Sequence, residues 1–125
     1  MRRRIATWGP VLGWTALIFV LSAQPTPVIS SDPLWDVLVK KVGHMLLYAV
    51  TALLLFRALR LGTRVGRPAA WAVVVAGLYA ISDEVHQSLV HGRHAAISDV
   101  LIDVVAAALA VLVANRLLRR RGLLG

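Results

Sequence analysis

Hydrophobic residues fall in four long runs separated by short polar stretches: about Ile5 to Ala23, Val37 to Leu59, Ala69 to Val90 and Asp99 to Leu118. Each is near the ~20 residues that a helix needs to cross the hydrocarbon of a bilayer. The stretches between them carry turn chemistry. Gln24-Pro25-Thr26-Pro27 through Ser31-Asp32-Pro33 holds three prolines and small polar residues, which cannot sustain a helix. Asp32 is placed to cap a short helical start at Pro33. Leu61 to Pro68 is a short basic loop, and His91-Gly92-Arg93-His94 a turn. Ser98 is a good N-cap for the fourth run. Gly9-Pro10 is expected to bend the first turn of the first helix, which membrane helices tolerate. The pattern predicts an all-α fold, a four-helix transmembrane bundle forming one domain over residues 1–125.

Composition sharpens this choice. The chain has 125 residues, 58% of them hydrophobic, with a mean hydropathy of +0.74. Soluble domains are roughly 45–50% apolar, and so small a body could not hide four such runs. The first run follows Met1-Arg2-Arg3-Arg4 and ends in Leu21-Ser22-Ala23, an outline shared with signal peptides. Leu21 is large for a cleavage motif, and the run is long enough to span, so a helix that stays in the membrane is expected. Cysteine is absent, which excludes disulfides, thiolate nucleophiles and sulfur metal ligands.

The net charge of +8 is distributed as membrane topology requires. Four spans put both termini on one side, together with Arg2, Arg3, Arg4, Arg57, Arg60, Arg64, Arg67, Arg116, Arg119, Arg120 and Arg121. The other side keeps only Lys40, Lys41 and Arg93, so the arginine-rich side, with both termini, is expected to be cytoplasmic. The six acids, Asp32, Asp36, Asp83, Glu84, Asp99 and Asp103, all fall in the outer half. The basic excess is then a topology signal and not a nucleic-acid footprint. The expected location is the cytoplasmic membrane, crossed several times.

Candidate chemistry lies at one depth. With ~1.5 Å rise per residue in a core ~30 Å thick, Asp83 sits roughly 9 Å below the outer face and Asp103 about 6 Å. Lys41, His44 and Tyr48 fall at i, i+3 and i+7 on one helical face. Tyr79, Asp83, His86 and Gln87 can likewise face one partner, while Ser22 and Gln24 bring the end of the first helix to the same level. A carboxylate at a helix centre costs about 2.5–3.5 kcal/mol on the insertion scale, so such groups face protein or water and mark functional sites. Ala106, Ala107, Ala108 and Ala110 would let another helix approach the fourth one closely.

Several readings of this layer stand side by side. Lys41 and Arg93 could pair with the acids merely to fix helix register. His44, Asp83, Glu84, His86, Asp99 and Asp103 offer ligands suited to Zn²⁺ or Mg²⁺. HExxH is absent, however, and Glu84 and His86 are two apart, which does not share a helical face. Asp83 with His86, or paired carboxylates, could move a proton. Ser22 and Ser82 lack a supporting nucleophile motif. Asp83-Glu84-Val85-His86 has the letters of a helicase DExH box, but no phosphate-binding GxxxxGK[ST] loop accompanies it.

The chain resembles the VanZ-like family of small bacterial membrane proteins. The resemblance runs through Leu21-Ser22-Ala23-Gln24-Pro25, Lys41-Val42-Gly43-His44 with Tyr48, and Tyr79 with Ser82-Asp83-Glu84-Val85-His86-Gln87. It ends in Gly92-Arg93 and Ser98-Asp99-Val100-Leu101-Ile102-Asp103. His91 stands where proline is common before Gly-Arg, and Ala106-Ala107 where Gly-Ala is common, so a looser turn and less close packing of the fourth helix are expected. The founding member is associated with teicoplanin resistance. The resemblance therefore implies action at the outer face of the cytoplasmic membrane, on cell-wall precursors or on antibiotic access.

The resulting expectation is a membrane protein whose outer polar site binds or modifies an envelope component, such as a lipid-linked precursor. Asp83, Glu84 and His86 would do acid–base or ligand work, Lys41 and Arg93 would hold an anionic group, and Ser22, Gln24, His44, Tyr48, Gln87, Asp99 and Asp103 would complete the pocket. No cofactor is expected, a divalent metal staying open as an alternative. Besides the lipid bilayer and the precursor, the expected partners are a second copy or an envelope protein, and no nucleic acid. The alternative functions are a small transporter or proton-coupled channel, and a non-catalytic subunit of an envelope enzyme.

Overall fold

The computed structural model describes residues 1–93 and 95–123. They form four helices: α1 (Arg2–Ser22), α2 (Pro33–Gly62), α3 (Pro68–Ser88) and α4 (Ile97–Arg120). No strand occurs among the described residues. All four helices are long and apolar enough to cross a membrane. His94, the last residue of the expected turn, lies outside the described residues.

Local sequence sets the helix ends. Asp32 takes extended backbone and accepts from the amides of Leu34 (2.9 Å) and Trp35 (3.3 Å), and Pro33 follows at the first helical position. Both devices satisfy or remove amides that have no partner within the helix. The result is not a short separate start. α2 runs unbroken for 30 residues, about 45 Å at 1.5 Å per residue, and so overhangs a ~30 Å hydrocarbon core. Pro10 sits inside α1 and cannot donate to the carbonyl of Ala6. Arg57 of α2 donates to that carbonyl instead, at 3.4 Å.

One expected cap is corrected. Ser98 lies within α4, which begins at Ile97 with Ala96 in the capping position. No local side chain caps this end. Glu84 of α3 accepts the Ala96 amide at 2.7 Å, so a carboxylate stands by the start of the helix, where its dipole favours negative charge.

The helices pack in an order that leaves α1 peripheral. α4 lies against both α2 and α3, and α2 lies against α3. α1 packs on α2, touches α3 lightly and does not contact α4. Two side chains tie it down. Trp14 donates its indole N–H to Thr51 (3.1 Å) and to the Leu47 carbonyl (3.2 Å). Tyr79 donates its hydroxyl to the Thr15 carbonyl at 2.6 Å. Near the termini, Arg57 reaches Ala6 and Arg60 reaches the Leu123 carbonyl, so both chain ends and the α2–α3 loop share one end of the bundle. The arginine-rich segments therefore cluster at that end.

The interior is made largely of alanine. Ala52, Ala58, Ala72, Ala76, Ala80, Ala106 and Ala107 are buried, whereas Leu12, Phe19, Leu46, Leu78, Leu101 and Leu109 are exposed. That inverts the arrangement of a soluble protein and suits lipid, where helices associate by close packing. Ala72, Ala76 and Ala80 recur every fourth residue and give α3 a smooth stripe. The expected loosening does not occur at Ala106 and Ala107, which are buried. The turn before α4 is also closed, with the Arg93 amide donating to the Val90 carbonyl at 3.1 Å and Gly92 at φ +80°.

Enlarging a buried stripe residue should loosen the bundle. Ala76→Leu, at a site with no exposure, should destabilise by about 1–3 kcal/mol and lower Tm in detergent. Leu78→Ala, on the lipid-facing side, should leave Tm nearly unchanged. Equal shifts would mean that the alanine seam does not set the packing.

Candidate functional site

One face of α2 organises the end of the bundle opposite the chain termini. Lys41, His44 and Tyr48 project from successive turns, and each meets an aspartate of another helix. Lys41 Nζ pairs with Asp99 of α4. His44 Nδ1 lies 3.5 Å from Asp103 Oδ2, also on α4. Tyr48 donates its hydroxyl to Asp83 of α3 at 2.9 Å. Lys41 to His44 is a step of three residues and Asp99 to Asp103 a step of four, each about one helical turn, so the two helices pair turn by turn.

Asp83 is buried and answered from two sides. The same oxygen that accepts from Tyr48 also accepts from Gln87 Nε2 at 2.9 Å. Gln87 lies 3.3 Å from Ser22 Oγ and takes a 2.7 Å hydrogen bond from Arg93 through its oxygen. Arg93 also donates to the carbonyls of Ser22 (3.5 Å) and Gln24 (3.3 Å) at the end of α1. A continuous chain thus joins Tyr48, Asp83, Gln87, Arg93 and the first helix. Burying a carboxylate this deeply is sustainable because donors surround it.

A cavity of about 260 Å³ opens beside this chain. α2 contributes Val37, Lys40, Lys41 and His44; α3 contributes Glu84 and Gln87; α4 contributes Asp99, Ile102 and Asp103. Thr26, Gly92 and Arg93 close it from the linkers. A smaller space of about 60 Å³ lies alongside, bounded by Ser22, His44, Asp83, Gln87 and Arg93 with Ile18, Leu21 and Leu47. Apolar and polar side chains share its wall, and it is large enough for water.

The charges on the main cavity are unequally satisfied. Lys40 pairs with Asp36 one turn away, Lys41 with Asp99, and Glu84 holds the Ala96 amide. Among the described residues, Arg93 has no carboxylate within ion-pair distance. Among the described residues, His44 Nδ1 and Asp103 Oδ1 are buried without hydrogen-bond partners, as is His86 Nδ1 away from the cavity. Buried polar atoms are seldom left so, and those of His44 and Asp103 stand together on the cavity wall. No three His, Cys, Asp or Glu side chains among the described residues are grouped to hold a metal ion.

Of the residues singled out from sequence, Lys41, His44, Glu84, Gln87, Arg93, Asp99 and Asp103 line the main cavity. Ser22 and Asp83 border the smaller space, while Tyr48 supports Asp83 from behind. Gln24 takes part only through its carbonyl. His86 lies elsewhere. Its ring stacks on Phe19 of α1 at 4.4 Å between centroids, and it lines neither space. Two polar lining residues, Thr26 and Lys40, escaped the sequence reading of the site, as did Val37, Gly92 and Ile102. The Asp36–Lys40 spacing of four was the available signal, because Asp36 also accepts the amides of Ile29 (2.7 Å) and Ser30 (3.2 Å) and folds the α1–α2 linker back.

Residues 8–119 match the family model VanZ/LLP1. The chain belongs to the VanZ/LLP1 family. No curated protein and no solved structure matches it. The matched region contains all four helices except the outermost residues of α1 and α4, and with them the whole polar cluster. This VanZ/LLP1 chain is therefore a multi-pass membrane protein with its family's segment folded as one bundle.

The two kinds of polar contact should differ in strength. Tyr48→Phe removes a donor from a buried carboxylate and should cost about 1–3 kcal/mol. Lys41→Met breaks an ion pair whose side chains are 38% and 34% exposed, and should cost no more than about 1 kcal/mol. Thermal unfolding of both variants in the same detergent measures the difference. A larger loss for Lys41→Met would reverse the assignment of Asp83 as the interior anchor.

Proposed function

We propose that this VanZ/LLP1 protein sits in the cytoplasmic membrane with its arginine-rich end in the cytosol, and that its cavity faces the outer leaflet. There it binds or modifies an envelope component that carries an anionic group, in a role linked by family to teicoplanin resistance. The observation that carries this reading is Arg93, a cation on the cavity wall with no carboxylate partner among the described residues. A guanidinium offers a fixed fork of donors to a phosphate or carboxylate. Lys41 supplies further positive potential, although Asp99 already neutralises much of it.

His44 and Asp103 stand across the cavity as an imidazole–carboxylate pair, suited to accept or deliver a proton. Glu84 lines the same wall. Asp83 acts from behind, fixing Gln87 and through it Arg93. His86, stacked on Phe19, has no contact with the cavity and serves α1 packing.

Two experiments test this. The chain has no cysteine, so single-cysteine variants report topology without background. His91→Cys should react with a membrane-impermeant maleimide in intact cells, and Thr63→Cys only after lysis. The opposite pattern would place the cavity in the cytosol and end the outer-leaflet reading. Asp83→Ala and Asp103→Ala should each abolish a teicoplanin-resistance phenotype at normal levels of inserted protein. Full resistance in both variants would remove the cavity from the function.

A further inference from the structure

A second recess shares a wall with the polar cavity and has a different character. It measures about 380 Å³ and lies between the end of α3 and the start of α4. Ile81, Val85 and Ser88 line one side, Ile97 and Val100 the other, with Ala96 between. Positions 81, 84, 85 and 88 form one face of α3, so Glu84 stands in the middle of that side. Glu84 lines the polar cavity as well. The two spaces therefore lie back to back at the same depth, divided by one carboxylate side chain and a small-residue stretch at Ala96.

Nothing among the described residues covers this recess. Ile81, Val85 and Ile97 are 50%, 58% and 81% exposed. In a bilayer it meets hydrocarbon, whereas the cavity behind Glu84 presents Arg93 to an anion. A ligand that used both would need a long apolar chain joined to an anionic head. The anion that a bilayer supplies in this form is phosphate on a hydrocarbon chain. A carboxylate buried in the wall of an apolar groove is expensive at this depth and calls for a role. Holding the Ala96 amide at 2.7 Å, Glu84 fixes the seam at which such a ligand would cross.

The geometry points to a membrane amphiphile with a phosphate head as the ligand, its head in the cavity at Arg93 and its hydrocarbon chain in the groove between α3 and α4. This rests on the reading of the cavity as an anion site, and it excludes a wholly water-borne ligand. The ligand then reaches the site sideways from the outer leaflet.

The test uses the full chain in neutral maltoside micelles, with dodecyl phosphate and methyl phosphate as probes followed by ³¹P resonance shifts. Wild type should bind dodecyl phosphate more tightly than methyl phosphate, by roughly tenfold or more given the added methylenes. Val100→Trp fills the groove and should remove most of that advantage while methyl phosphate binding stays unchanged. Val85→Trp, from the opposite wall and on an exposed position, should do the same and guards against a folding defect in the first variant. Arg93→Ala should weaken both probes. If groove filling leaves dodecyl phosphate binding intact while Arg93→Ala weakens both probes, the groove assignment falls and the anion site stands. If neither probe binds wild type, or Arg93→Ala changes nothing, the anion site falls and the groove assignment with it.

Discussion

Three carboxylates buried at bilayer depth, Asp83, Glu84 and Asp103, set the terms for the rest of this structure. An ionised side chain there is tolerable only when donors meet it, and the fold supplies them from distant parts of the chain. Tyr48 and Gln87 converge on Asp83, the Ala96 amide reaches Glu84, and His44 stands beside Asp103. Except for Gln87, which stands one turn from Asp83 on α3, each contact joins two segments, so this end cannot rearrange one helix without exposing a buried charge. Asp103 is the least satisfied of the three, with one oxygen unpartnered, and it is also the one beside the cavity and the imidazole. Incomplete satisfaction and access to a ligand coincide.

The two ends of the bundle divide their tasks. At the arginine-rich end, Arg57 answers the carbonyl that Pro10 leaves open, and Arg60 meets the carbonyl of Leu123. These contacts serve the helices themselves. At the other end, the side chains of α2 reach across to α3 and α4 and leave a hollow between them. The first helix belongs to both. Trp14 and Tyr79 secure its middle, and Arg93 holds the carbonyls of its last residue, Ser22, and of Gln24 just beyond it.

Much of this arrangement was legible in the residues. Length and hydropathy placed the four helices, and the alternation of arginine-rich and acidic segments grouped their ends. The spacing of Lys41, His44 and Tyr48 predicted one shared face, and counting residues from the helix ends placed Asp83 and Asp103 at one level. Periodicity does not say how a helix is rotated against its neighbour. Hence the pairing of Tyr48 with Asp83, and of His44 with Asp103, could not be read from spacing alone. The same limit explains His86: three residues beyond Asp83 it lies near enough to the polar face to be included, but the rotation of α3 turns it to Phe19. Ser98 looked like a cap because caps are usually local, and the actual partner of this helix start, Glu84, comes from the preceding helix. The cavity edge at Thr26 depends on how Asp36 folds the linker, a tertiary event with only a faint local trace.

The alanine seam has an energetic consequence of its own. Alanine has no rotamers to lose, so bringing Ala72, Ala76, Ala80, Ala106 and Ala107 together freezes almost no side-chain freedom. Lysine and arginine lose the most, up to about 1.5–2 kcal/mol each, and Lys40, Lys41 and Arg93 all line the cavity. The backbone cost is shared along all four helices, but the side-chain part of the entropic burden is heavier around the hollow than along the alanine seam.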